Sequence, residues 1–246
     1  MLGAEFVKSI LEAGGNPILI DIDDHDSQRV QSLSDRIKSN YHLVDITKEF
    51  EIIKFKEFLI ANGIMISGLV NNAAINPTVE DSKKLSGFDS FDPLDWQLEI
   101  AVGLTGAVLM TKHFGALMVQ QKMKGSIVNI SSDLGVIAPD QRLYEKEGND
   151  KPKKPVGYSV IKHGIIGLTK YTATYWPGEV RCNTLCPGGI LNGQPDEFIK
   201  RIETRIPMAR MAFKHEYNSA INFLLSDSSS YMTGQTLIID GGRSIW

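Results

Sequence analysis

Phe6, Val7, Ile10 and Leu11 recur at the spacing of one helix face, and Gly14-Gly15 stops the pattern. Pro17 to Ile22 then reads as a short apolar strand that carries Asp21 near its end. Similar runs recur along the chain: "PILIDI", "YHLVDI", "SGLVNNA", "SIVNISS", "VRCNTLCPG" and "QTLIIDGG". Each is followed by a polar or glycine-rich turn. Between them, helical periodicity predicts helices at about 26–38, 48–61, 93–121, 157–176, 196–205 and 215–225. Strands alternating with helices predict an α/β fold: a doubly wound, Rossmann-like parallel sheet in a three-layer αβα arrangement. No internal repeat or linker divides the chain, so residues 1–246 read as one domain. One segment, 138–155, is polar, proline-bounded and weakly periodic. A loop of that length in a compact domain is functional or disordered.

Ligands of doubly wound sheets sit beyond the carboxyl ends of the strands. Here those ends carry Asp21, Asp45, Asn71-Asn72, Ser131-Ser132 and Pro187-Gly188.

Composition removes several classes of function. The chain has 246 residues, 42% hydrophobic and 22% charged, which suits one domain with its own core. Its formal net charge of -3 and the lack of a basic stripe argue against a nucleic-acid partner. The short run "KPKK" at Lys151 to Lys154 reads as solvated loop. Cys182 and Cys186 form a lone Cys-x3-Cys pair with no nearby His, better read as buried thiols than as a metal site; no metal is expected. No apolar run is read as reaching membrane-spanning length, and no signal-peptide pattern opens the chain. The expectation is a cytoplasmic protein without a membrane partner.

The strongest chemical feature is "YSVIK", with Tyr158 and Lys162 at i and i+4 on one helix face. An ammonium held beside a phenol favours phenolate, and a tyrosine so tuned serves as general acid or base. Taken alone, the pair is equally a surface pair on an ordinary helix. "GSIVNISS" delivers Ser131 and Ser132 to a strand end, where a hydroxyl meets a carbonyl or alkoxide, or merely ends the strand in a turn. "LVNNAA" places small residues at another strand end, suited to close backbone approach by a ligand or to a turn.

Together these segments resemble the short-chain dehydrogenase/reductase family. The resemblance runs from Leu2-Gly3 through "LVNNAA", "SIVNISS", "YSVIK" and "RCNTLCPGG" to "YMTGQTLIIDGG". The finer pattern of "AVGLTGAVLMTKHFG", "SSDLGVIAPDQRLY" and "YMTGQTLIIDGGRSIW" resembles a subgroup from bacterial surface-glycan and flagellin-modification pathways. The resemblance implies an NAD(P)-dependent oxidoreductase that moves a hydride between nicotinamide and a secondary alcohol or ketone, here a sugar or sugar derivative. It makes Tyr158 the acid/base, Lys162 the holder of the nicotinamide ribose, and Ser132 the residue that orients the substrate oxygen. Ser131, one position earlier, points to the other face of the strand. Asp21 falls where the family binds the adenosine ribose, and a carboxylate there favours NAD over NADP. Asp45 and Ile46 would flank adenine, and Asn72 and Ala73 would line the cofactor. Pro187, Gly188 and Ile190 would frame the nicotinamide, with Ile190 backbone groups on its carboxamide. The family also implies a homo-oligomer, a tetramer or dimer; Leu98, Val102, Leu109 and Phe114 on the long middle helix would serve core or interface.

Three departures qualify the resemblance. In the family, a strand and a Thr-Gly-x3-Gly-x-Gly turn precede the first helix. Here Gly3 matches the last of those glycines, so the first strand and most of the glycine turn are expected to be lacking from this chain. With them goes part of the pyrophosphate cradle, and Glu5 adds negative charge near what remains. Second, the family's middle-helix asparagine is replaced by Gly103, which has no side chain to bend the helix or fix a relay water. Third, Ser132 and Tyr158 stand 26 positions apart, about twice the family habit. The excess is the 138–155 insertion, whose Arg142 and Tyr144 are candidates to bind substrate. The competing reading is a non-catalytic protein that keeps the fold for binding or structure. The missing cradle favours that reading, and the intact Ser-Tyr-Lys set favours the enzyme.

Overall fold

The computed structural model describes residues 2–22, 40–75, 87–144 and 153–246. The helix expected at 26–38 and the middle of the 138–155 insertion lie outside them.

All six expected strands form: β1 (Leu19–Asp21), β2 (Tyr41–Leu43), β3 (Gly68–Asn71), β4 (Gly125–Ile130), β5 (Val180–Pro187) and β6 (Thr236–Ile239). All pairings are parallel, but they divide into two sheets, β1-β2 and β3-β4-β5-β6. Among the described residues, no ladder joins β1 to β3. The helices are α1 (Leu2–Glu12), α2 (Glu49–Ala61), α3 (Pro93–Ile100), α4 (Gly106–Gln120), α5 (Val156–Tyr175), α6 (Asp196–Glu203) and α7 (Asn218–Leu225).

Alternation along the buried strand β4 explains the layering. Val128 and Ile130 join Leu185 under Leu2 and Phe6 of α1 and Ala220, Ile221 and Leu224 of α7. Ile127 faces the other way, against Met118 of α4 and Cys182 of β5. On that second side α2 packs Ile52, Phe55 and Leu59 against Met110, Phe114 and Leu117 of α4. The outcome is the expected α/β architecture with helices on both faces of parallel strands.

The middle helix differs from expectation in two respects. First, α3 and α4 are joined through one wide π turn, Ala101–Thr105, around Gly103. A π turn is an insertion in the helical ladder that re-aims the helix beyond it, and it is common near functional sites. A side chain at position 103 is therefore not needed to perturb the helix. Second, Pro93–Gln120 is long and apolar enough to cross a membrane by length and composition, contrary to the expectation that no run reaches that length. In this fold much of it is core, with Met110, Phe114, Leu117 and Met118 buried. Of the residues named for core or interface, Phe114 is core and Leu98 is 53% exposed.

Candidate active site

The carboxyl ends of the strands open on one cleft of about 1490 Å³, which also runs between β1 and β3. Asp21, Asp45, Ile46, Asn72, Ala73, Ser132, Tyr144, Tyr158, Lys162, Pro187, Gly188 and Ile190 all line it, with Gly3 at the start of α1. Arg142, the remaining candidate, does not. Its guanidinium donates two 2.8 Å hydrogen bonds to Asp140 instead, and its side chain is exposed. In this structure Arg142 is paired with an aspartate two residues away in sequence rather than turned into the cleft.

Ser131 and Ser132 divide as strand geometry requires. Ser131 Oγ donates to the Lys162 carbonyl at 2.7 Å and locks β4 to α5. Ser132 caps the short turn Asp133–Gly135 by accepting from the Leu134 N–H at 3.2 Å. Its own hydroxyl donates to Asp133 Oδ1 at 2.7 Å, and it lies within hydrogen-bonding reach of Tyr158. Lys162 enters from one turn further along α5 and donates to the Ile130 carbonyl at 2.9 Å. Serine, tyrosine and lysine thus meet in one place.

Electrostatically, the tyrosine departs from expectation. Burial pushes the Tyr158 phenol up to about 12, while the nearby Ser132 hydroxyl works in the opposite direction. Burial also pushes Lys162 down to about 8. The Lys162 ammonium sits 5.6 Å from the centre of the Tyr158 ring and is engaged by a backbone carbonyl. In this state desolvation outweighs its pull on the phenol.

Sequence periodicity gave no hint of a second lysine. Lys154, assigned to a solvated loop, is buried, with its ammonium 4.0 Å from the Tyr158 ring centre. Burial pushes it down to about 8, while Glu99 pulls it back up. Beneath the cleft runs a polar ladder, in which the first asparagine of "LVNNAA" ties neighbouring strands together. Asn71 Nδ2 donates to Asn129 Oδ1 at 2.7 Å and to Thr111 Oγ1 at 3.0 Å. Asn129 in turn donates to Thr169 at 2.8 Å, and Thr184 donates to Thr169 at 2.7 Å. The only sequence signals were polar residues at core-facing strand positions. Each costs free energy unless partnered, so together they fix the strands in register.

The outlying residues have defined surroundings. Asp21 ends β1 exposed, accepting from the Ile22 N–H at 2.7 Å. Asp45 is turned to Thr47 Oγ1, at 2.6 Å, and to Lys48. A Cβ on Gly3 would stand 3.0 Å from the Asn72 amide nitrogen, so glycine lets α1 approach the end of β3. Glu5 accepts from Asn218 at 3.0 Å. The Ile190 carbonyl accepts from Gln194 Nε2 at 2.8 Å. Cys182 and Cys186 are buried free thiols, as read from the sequence. Gly103 has a packing reason: a Cβ there would lie 2.8 Å from Ile161 Cγ2. An isoleucine of α5 occupies the space that an asparagine side chain would need.

A parallel α/β fold with serine, tyrosine and lysine converging at its strand ends is the architecture of a nicotinamide-dependent oxidoreductase. Comparison makes the assignment particular. The family model described as "Enoyl-(Acyl carrier protein) reductase" matches residues 2–244, and the chain belongs to the short-chain dehydrogenase/reductase family. It is 30% identical over 246 residues to the post-translational flagellin modification protein A of Campylobacter coli, covering 98% of this chain and 93% of that one. It is 30% identical to the D-threitol dehydrogenase of Mycolicibacterium smegmatis over 72% of this chain and 62% of that one. The crystal structure of a short-chain dehydrogenase from Leptospira borgpetersenii with bound NAD+ superposes with a TM-score of 0.86 at 30% identity. That match covers 99% of this chain and 89% of the other. The chain is an oxidoreductase of this family.

Proposed function

We propose that the chain is an NAD-dependent dehydrogenase of a secondary alcohol or ketone on a sugar or polyol derivative, serving surface-glycan or flagellin modification. The observation that carries the reading is the convergence of Ser132, Tyr158 and Lys162 in a cleft that reaches Asp21. The donor set fits a dinucleotide. Asp21 offers an exposed carboxylate to ribose hydroxyls, and the residues that open α1, Leu2 to Glu5, line the same cleft. Lys162 lies beside Tyr158 for the second ribose. When bound, the nicotinamide supplies the hydride acceptor or donor. Tyr158 moves the hydroxyl proton of the substrate, and Ser132 holds the reacting oxygen. Once Lys162 releases the Ile130 carbonyl, its ammonium is free to stabilise the phenolate. Tyr144, buried against Phe198 with ring centres 5.8 Å apart, walls the substrate end.

The flagellin-modification relative and the polyol dehydrogenase support the substrate class. A homo-oligomer accords with the exposed Leu94, Leu98 and Val108 on the middle helix and Val160, Tyr171 and Tyr175 on α5. The separation of β1 from β3 favours a second reading, a protein that keeps the fold without turnover.

One experiment decides between them. The chain is incubated with NAD or NADH and a panel of polyols, sugar acids and nucleotide-activated sugars, and absorbance is followed in the nicotinamide band. Turnover that Tyr158→Phe abolishes, with cofactor binding retained, supports the enzyme. Absence of turnover across the panel, or a Tyr158→Phe variant of normal rate, overturns it.

A further inference from the structure

Ser132 is followed by an aspartate that lies almost wholly inside the protein, and this aspartate has an arginine partner 110 positions away. Arg243 Nη1 donates to Asp133 Oδ2 at 2.6 Å, with both side chains buried. The other carboxylate oxygen, Oδ1, accepts from Ser132 Oγ at 2.7 Å and from the Leu134 N–H at 2.8 Å. Both oxygens are therefore in use, one on the arginine and one on the serine.

The arginine is built into place. Gly241 and Gly242 adopt φ of 68° and 89°, a backbone turn that L side chains rarely make. Asp240 Oδ1 accepts from the Gly242 N–H at 2.9 Å, and Oδ2 from the Ser244 N–H at 2.7 Å. Asp240 thereby caps the final turn, Arg243–Ile245, that presents the guanidinium. A Cβ on Gly188 would meet Asp240 Cα at 2.6 Å, so the turn is packed directly on the end of β5.

A buried ion pair is a poor way to gain stability, because desolvating two charges offsets their attraction. One placed next to a reacting hydroxyl has another use. A serine hydroxyl has a single proton to give. Here the Asp133 carboxylate engages it, which holds the Ser132 hydroxyl in one rotamer beside Tyr158.

We infer that Asp133 and Arg243 are a positioning pair that fixes the place and rotamer of the Ser132 hydroxyl beside Tyr158. This rests on the dehydrogenase reading above. The pair acts through Ser132, and both of its residues line the same cleft. It also ties the C-terminal turn to the reaction centre, since Arg243 holds the carboxylate that holds the serine.

The test combines kinetics and structure. With the best substrate of the panel and NAD, Asp133→Ala is expected to lower kcat about 10- to 100-fold with KM changed less than about threefold. In a Ser132→Ala background the same change is expected to lower kcat less than about threefold further, the non-additivity of residues acting as one unit. Arg243→Lys is expected to keep most of the rate and Arg243→Met to lose it. Should Asp133→Ala fail to fold, Asp133→Leu combined with Arg243→Met removes both charges and the acceptor of Ser132 and serves in its place. Equal losses with Ser132 present and in the Ser132→Ala background would overturn the inference. Crystal structures of the same variants read the geometry without turnover. The Ser132 Oγ position is expected to be kept in Asp133→Asn and lost in Asp133→Ala, and an unmoved Ser132 in both overturns the proposal. If the parent chain turns over nothing, the dehydrogenase reading fails while these structures still decide the positioning.

Discussion

The ammonium of Lys154 lies 4.0 Å above the ring of Tyr158, nearer than that of Lys162 at 5.6 Å. The lysine of the Tyr-x3-Lys motif is thus accompanied by a second one, from the segment that lengthens the serine-to-tyrosine connection. Both are buried and both are pushed down to about 8. Buried cations against a ring face gain from its quadrupole, yet that gain does not restore the lost hydration.

These lysines make stability depend on pH. A lysine with folded-state pKa about 8 and ordinary value 10.5 binds fewer protons when folded than when unfolded between those limits. Stability therefore rises with pH from about 8 to 10.5. Tyr158, raised from 10 to about 12, has the opposite sign and removes stability above pH 10. Melting temperature is expected to climb between about pH 8 and pH 9, to level off where the buried Cys182 and Cys186, raised from 9.0 to about 12 and about 11, offset the lysines, and to fall above pH 10. Lys154→Met is expected to flatten the climb. A wild-type curve that declines from about pH 8 would contradict this account of the buried lysines.

In the proposed reading, Asp21 governs the choice between NAD and NADP. It stands exposed at the rim of the cleft, and no cation pairs with it among the described residues. A 2′-phosphate placed there meets like charge, whereas ribose hydroxyls meet a hydrogen-bond acceptor. NAD is expected to bind more tightly than NADP. Asp21→Ala is expected to narrow the difference by about tenfold, since one charged hydrogen bond contributes about 1.5–3 kcal/mol. Paired titrations measure it, and tighter NADP binding by the parent chain would refute it.

Much of this site could be read from the sequence, and the parts that could not share one cause. Strand runs such as "SIVNISS" and "VRCNTLCPG" announced their ends, and the i, i+4 spacing put Tyr158 and Lys162 on one face. These are local signals. Arg142 turns to Asp140, a partner chosen by side-chain conformation rather than by periodicity. Lys154 was taken for solvent-facing because its run is basic, and only packing against α5 reveals its burial. The Asp133–Arg243 pair depends on the C-terminal turn folding back over β5. The π turn at Ala101–Thr105 had no sequence signal beyond Gly103 and Gly106.

Gly103 gives a packing prediction. Any side chain there meets Ile161, whose Cγ2 and Cδ1 would lie 2.8 and 3.1 Å from a new Cβ. Gly103→Asn is expected to cost about 1–3 kcal/mol through overpacking. Trimming the neighbour, as Gly103→Asn with Ile161→Ala, is expected to recover part of that loss. Urea unfolding of the single and double variants measures the coupling. Strict additivity would show that the isoleucine is not what excludes a side chain at 103.

The cleft between the two sheets gives the last prediction. Among the described residues, β1 and β3 each pair on one side only, β1 with β2 and β3 with β4, and their other edges face the gap. Ile18 and Ile20 line one wall, Leu69 and Val70 the other, and Leu2 and Phe6 of α1 close the cleft from one face. A parallel strand laid there would complete both ladders and bury apolar side chains, each contributing about 1.5–3 kcal/mol. It would also deliver a turn to the N-terminus of α1, where unpaired N–H groups and the helix dipole attract the pyrophosphate of a dinucleotide. Placing an apolar strand and a Thr-Gly-x3-Gly-x-Gly turn ahead of Leu2 is therefore expected to raise the melting temperature by about 2–4 °C per kcal/mol gained. It is expected to tighten NAD binding in the same protein. Calorimetric titration and melting curves of the extended and unextended chains test both effects. Equal affinity and equal melting temperature would mean that the two sheets are already held apart by packing that a further strand cannot improve.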